Sequence, residues 1–129
     1  MIYVYNSHNE DYTSKENNFY IGRPSVLGNP FTYNGVRTNL AKLAFKTREE
    51  SITAYEKYFD VMYGKDEDFT KAFDEIYEHY KNGEDIYLQC FCKPLPCHGD
   101  VIADKLQRKL IKEKMEIRKN EEVSNEKKN

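Results

Sequence analysis

Residues 86–100, Ile86-Tyr87-Leu88-Gln89-Cys90-Phe91-Cys92-Lys93-Pro94-Leu95-Pro96-Cys97-His98-Gly99-Asp100, decide the fold. Ile86 to Phe91 alternates in the manner of a strand within a sheet. Lys93–Pro96 breaks it, because proline brings no amide to a ladder. Asp100 then stands where a helix N-cap is wanted. Ile102, Leu106 and Leu110 follow at helical spacing. The order predicts an interior strand over Ile86–Phe91 and a packed helix from about Gly99 to Leu110.

The residues upstream extend this pattern. Thr47-Arg48-Glu49-Glu50 is a capping box: Thr47 can accept from an amide three residues on while Glu50 reaches back. Ile52, Tyr55, Phe59 and Met62 then share one face, and that helix should stop near Gly64. A second helix starts near Asp66 or Asp68, with Phe69, Phe73, Ile76 and Tyr80 as its apolar stripe and Asn82-Gly83 as its stop. Ile2 and Val4 with their aromatic neighbours make a first strand, and Phe19-Tyr20-Ile21 a short second one. Asn6–Asn18 reads as a polar loop, and Asn39–Phe45 has weak helical character. Strands separated by helices predict a layered α/β domain with an at least partly parallel sheet flanked by helices.

The chain has 129 residues, enough for one domain. Residues 1–112 are assigned to it. From Lys112 the apolar stripe thins to Met115 and Ile117, and residues 113–129 read as a charged, frayed or disordered tail. A net charge of −2 argues against wrapping duplex nucleic acid, which needs a clear cationic excess. No apolar run is long enough to span a membrane and no signal peptide opens the chain. Eleven tyrosines and no tryptophan suit half-buried core edges and pocket walls. The three cysteines fall inside Cys90–Cys97, an odd cluster that makes a poor disulfide framework and places the protein in a reducing cytoplasm.

Two loops carry the chemical signal. In Gly22–Phe31, Gly22 and Gly28 permit close backbone approaches, while Pro24 and Pro30 stiffen the chain. Arg23 offers a fork of donors suited to phosphate or carboxylate, and Ser25 and Asn29 add hydrogen bonds. The plainer alternative is a rigid connection with Arg23 salt-bridged at the surface. The segment is neither a Walker loop nor the dinucleotide glycine fingerprint.

The second loop, Cys90–Asp100, joins the C-terminal end of a strand to a helix start, where α/β sheets bind anions. Lys93 adds charge and His98 can exchange a proton near neutral pH. Three readings fit the cysteines. They are buried, quiet thiols; or Cys90, Cys92, Cys97 and His98 hold zinc, against the awkward spacing; or Cys97 is a reactive thiol at the helix N-terminus. Cys90 and Cys92 are too close along a strand to bridge well, so no disulfide is expected among the three.

Ile21-Gly22-Arg23-Pro24-Ser25, Gly28-Asn29-Pro30-Phe31, Cys90-Phe91-Cys92-Lys93-Pro94 and Cys97-His98-Gly99-Asp100 together resemble the family called domain of unknown function 4326, of bacteria and tailed phages. The resemblance covers most of residues 1–110, with Phe91 where members often carry tryptophan. It brings no established activity. It implies that both loops belong to one site, and that the layout is similar to small Rossmann-like and SLOG-type domains that bind nucleotide-derived ligands.

The resulting expectation is a pocket between the loops for a small anionic, nucleotide-like ligand. Arg23, Lys93 and the amides after Gly99 would hold phosphate, Tyr20 or Phe31 would stack on a ring, and Asn29 and Asp100 would read ribose or base edges. In a phage, such a binder would sequester a host immune signalling nucleotide, a counter-defence role. One rival is a hydrolase or transferase on a nucleotide-like substrate, with His98 as acid or base and Asp100 or Cys97 assisting. The other is a zinc-stabilised interaction module. The expected setting is the cytoplasm of a bacterium or phage-infected cell, with no duplex nucleic acid as main partner, no membrane, and a homo-oligomer compatible with the sequence.

Overall fold

The computed structural model of the chain describes residues 1–32, 43–44, 47–90, 93 and 95–127. In chain order the elements are β1 (Ile2–Asn6), β2 (Asn18–Tyr20), β3 (Phe31–Thr32), β4 (Leu43–Ala44), α1 (Arg48–Met62), α2 (Glu67–Lys81), β5 (Ile86–Cys90) and α3 (His98–Lys127). The sheet runs β1-β5-β2, and both pairings are parallel. The expected interior strand is therefore central, as far as Cys90; Phe91 lies outside the described residues. β3 and β4 form a separate two-stranded parallel ladder. The helical reading of Asn39–Phe45 falls mostly outside the described residues, and where it can be compared, at Leu43–Ala44, it is corrected to strand. The segment pairs with β3, and tertiary pairing overrides a weak local preference.

Alternation along β5 sorts the sheet's two faces. Ile86, Leu88 and Cys90 are fully buried and join Ile2, Val4 and Phe19 against residues of all three helices. The core comprises Tyr55 and Phe59 of α1, Phe69, Phe73, Ile76 and Tyr77 of α2, and Ile102 and Leu106 of α3. Ile52, Met62, Tyr80 and Leu110 pack at its margin. The opposite face carries Tyr3, Tyr5, Tyr87 and Gln89 by register. Because β1 and β2 both run parallel to β5, the chain between them must return the length of the sheet. That return covers the second face: Tyr12 packs against Tyr3, Tyr5 and Tyr87.

Helix boundaries follow local chemistry. The Thr47 side chain caps the Glu50 amide at 3.2 Å, and Asp66 caps that of Phe69 at 2.9 Å. Gly64 and Gly83 lie at φ 87°, where a side chain is disfavoured. α3 runs on to Lys127, through most of the segment assigned to the tail. Its packing contacts reach Glu113, whose carboxylate accepts from Tyr77 Oη at 2.6 Å. The side chains of Lys114–Asn120 are exposed. No described helix is long and apolar enough to cross a membrane.

Candidate functional site

Parallel pairing brings the C-terminal ends of β1, β2 and β5 to one edge of the sheet, the edge at which α/β domains bind ligands. Three chain segments leave there: Ser7–Glu10, Gly22–Phe31 and the run from Cys90 to α3. The two loops singled out in the sequence meet at this edge. His98, the first residue of α3, places Nε2 2.6 Å from the carbonyl of Ile21.

Gly22–Phe31 is folded back on itself. Ser25 N–H donates to Gly22 O at 2.8 Å and Gly28 N–H to Ser25 O at 2.9 Å. A Cβ on Gly28 would sit 2.9 Å from that Ser25 carbonyl, so glycine is what allows the second turn to close. The Arg23–Pro24 peptide is cis. Helix α1 grips the loop from below with two side chains one turn apart. Ser51 Oγ donates to Phe31 O at 3.3 Å and accepts from Asn29 Nδ2 at 3.0 Å. Tyr55 Oη donates to Leu27 O at 2.7 Å, and burial pushes its phenol far above the ordinary range. Asn29 Oδ1 also accepts from Phe31 N–H at 3.0 Å, so both ends of that amide are used inside the loop. Phe31 packs edge-on to Tyr58, while Tyr20 stays 36% exposed at the rim, its hydroxyl donating to Arg23 O at 2.5 Å.

Among the described residues, the hydrogen bonds of Arg23 go to carbonyl oxygens. Its Nη1 lies 3.4 Å from Asn29 O and 3.3 Å from Phe31 O, and among the described residues no carboxylate pairs with it. Ser25 Oγ in the same loop is shielded from solvent with no hydrogen-bond partner among the described residues.

The second loop is built differently. Asp100 is not the N-cap expected of it but lies inside the first turn of α3. Its Oδ2 accepts from Cys97 N–H at 3.1 Å, the reach-back half of a capping box, and its Oδ1 accepts from Lys93 Nζ at 2.6 Å. The helix starts at His98, three residues before an Asp100 cap would start it, because Gly99 lets its first turn lie on the sheet. A Cβ there would come 2.7 Å from Val4 Cγ1 and 2.9 Å from Ile21 Cδ1. Burial works to lower the Lys93 ammonium, but the bond and charge of Asp100 overcome it and hold the pKa above its ordinary value. The Lys93 carbonyl accepts from Asn6 Nδ2 at 3.4 Å and from Asn9 Nδ2 at 2.9 Å, which ties the turn after β1 to the site.

His98 is the hinge between the loops. It is 6% exposed and stands edge-on to Tyr55 with ring centroids 5.0 Å apart. A carbonyl can only accept, so Nε2 carries the hydrogen and neutral His98 keeps Nδ1 as a lone pair. Burial lowers its pKa; the Ile21 bond and Asp100 oppose that shift, and the Arg23 charge reinforces it.

Cys90 and Cys97 are both buried, with sulfurs 3.3 Å apart. Cys92 lies outside the described residues. Among those described, no cluster of three potential ligands could hold a metal ion, and Nε2 of His98 already points at Ile21. The four-residue zinc reading turns on Cys92, which lies outside them.

The edge thus gathers Tyr20, Gly22, Arg23, Ser25, Gly28, Asn29, Phe31, Lys93, His98, Gly99 and Asp100. Sequence reading missed Asn6, Asn9, Ser51 and Tyr55. Ser51 and Tyr55 gave a faint signal, being polar-tipped residues four apart on an otherwise apolar helix face. Asn6 and Asn9 gave none, since a polar turn after a strand is ordinary.

Neither the curated proteins nor the solved structures yielded a match to this chain. One family model matches, over residues 4–108, a range that spans both loops, β2, β5 and β1 from Val4 on. The chain belongs to the family described as domain of unknown function (DUF4326).

Proposed function

We propose that the sheet edge binds a small anionic ligand of nucleotide type, with Arg23 as its principal anchor. One observation carries the reading: Arg23 is a cation held in place by backbone carbonyls with no carboxylate partner among the described residues. A guanidinium so held keeps donors for a phosphate, and binding there restores charge balance. Ser25 Oγ, shielded and without a described partner, supplies a further hydrogen bond once the loop adjusts. Tyr20 stands at the rim, where its exposed ring can stack on a base. Asn29, with both amide ends engaged, serves as scaffold rather than reader. Lys93 and Asp100 neutralise each other and hold the helix start whose amides face the ligand.

The hydrolase or transferase reading retains only Nδ1 of His98 for proton transfer, because the other nitrogen is held by Ile21. Turnover against a nucleotide panel decides between binder and enzyme. Calorimetry with ADP, NAD and cyclic dinucleotides tests the binding itself. Saturable binding of at least one, weakened in Arg23→Ala, supports it; no binding by any of them rejects it.

A further inference from the structure

We infer that Cys90 and Cys97 form an oxidisable dithiol, a redox modification site at the root of the second loop. One sulfur ends the central strand and the other immediately precedes α3, so they come from two elements whose separation the fold fixes. They are 3.3 Å apart, and a disulfide requires about 2.05 Å. That approach asks for a small side-chain rotation rather than refolding. The pair differs from Cys90 and Cys92, which stand two apart in the sequence. Cys97 lies beside the amino end of α3, which favours negative charge on its sulfur.

The co-reactant is hydrogen peroxide, a water-sized oxidant that reaches this pair through local opening of the loop, since Cys90 is 0% and Cys97 2% exposed. The Cys97 thiolate attacks one peroxide oxygen, the O–O bond breaks, and the departing hydroxide takes up the thiol's proton as water. Cys97 is then a sulfenic acid. The Cys90 sulfur attacks the Cys97 sulfur, the S–O bond breaks, and the leaving hydroxide takes the Cys90 proton as a second water. Two electrons pass from the sulfurs to peroxide and the protein loses two hydrogens. Dithiothreitol reverses the change by thiol–disulfide exchange. Because Cys97 adjoins His98, closing the bond shifts the residue that joins α3 to the Ile21 carbonyl.

The full chain, reduced and then treated with peroxide, is alkylated and examined by intact mass and peptide mapping. The expected result is a loss of two hydrogens, a Cys90–Cys97 cross-link with Cys92 alkylated, and full return with dithiothreitol. Cys92→Ser should cross-link as the parent does. Mapping on the unsubstituted chain keeps the test valid should Cys90→Ser or Cys97→Ser fail to fold. No bridge, a bridge through Cys92, stepwise oxygen addition without a bridge, or retained zinc that shields all three thiols would each overturn the inference. The His98 ring resonances should move on oxidation and return on reduction; unmoved resonances would overturn the coupling to the site.

Discussion

The two loops at the sheet edge each carry one cation and treat it in opposite ways. In the second loop, Lys93 lies 2.6 Å from Asp100, which also ties back to the Cys97 amide. In the first, Arg23 rests on two carbonyls and has no described carboxylate partner. The comparison separates a charge used to build a helix start from a charge available to a ligand. Residue type alone does not make that distinction, since both are basic residues beside prolines. The partner does.

If the contrast is right, Arg23→Ala should weaken binding of any nucleotide that binds the parent by about 2 kcal/mol or more, on the order of 30-fold, as loss of a charged hydrogen bond would. Its melting temperature should change little. Calorimetry and thermal unfolding on the same samples check both halves, and an unchanged affinity breaks the comparison at its centre.

If the second loop is chiefly a seat for α3, Gly99→Ala should destabilise the fold by about 1–2 kcal/mol through overpacking. The added methyl meets branched core side chains of β1 and the β2 end. Urea unfolding measures it. Parent-like stability would mean that α3 rides more loosely on the sheet than its contacts imply.

His98 sharpens the comparison through pH. Its folded pKa is lowered from 6.5, so the unfolded chain takes up the proton first as pH falls. The stabilising contribution is therefore complete above about pH 6.5 and is lost as pH falls through the folded pKa. One such group changes stability by at most about 1.4 kcal/mol per pH unit. Denaturation between pH 7.5 and 5, above the carboxylate range, should show the decline. His98→Gln, which keeps an N–H donor, should flatten it, and an equal slope in that variant would assign the effect elsewhere.

The smallest effect is expected at Lys93. Its partner Asp100 is well exposed, so Lys93→Ala should cost no more than about 1 kcal/mol of stability and diminish further in high salt. Nucleotide affinity should fall less than tenfold. A loss as large as that of Arg23→Ala would erase the distinction between the two cations.

Much of this was legible along the chain. Both helix caps, the apolar stripes of α1 and α2, the central strand and the glycine stops depend on neighbours within a few residues, and local chemistry announces them. The resemblance in the two loop motifs likewise pointed to the family. The weak helix at Asn39–Phe45 failed at Leu43–Ala44 because strand pairing is a long-range interaction. Asp100 was misplaced because its role depends on how closely Gly99 lets α3 approach Val4 and Ile21, residues far away in sequence.

By itself the sequence determined a layered α/β domain with an at least partly parallel sheet, since the order of strands and helices sets the layers, and alternation and helical periodicity record which face of each element is buried. It also named the two loops, because glycine, proline, cysteine and charge cluster there. Only the tertiary structure decided which residues act together. It set His98 on Ile21, Tyr55 on Leu27, Ser51 on Asn29, Asp100 on Lys93, and Cys97 beside Cys90. Hydrogen bonds and ion pairs fall off within a few ångströms, so the partner of a buried polar group is fixed by the docking of whole elements, which no local pattern encodes.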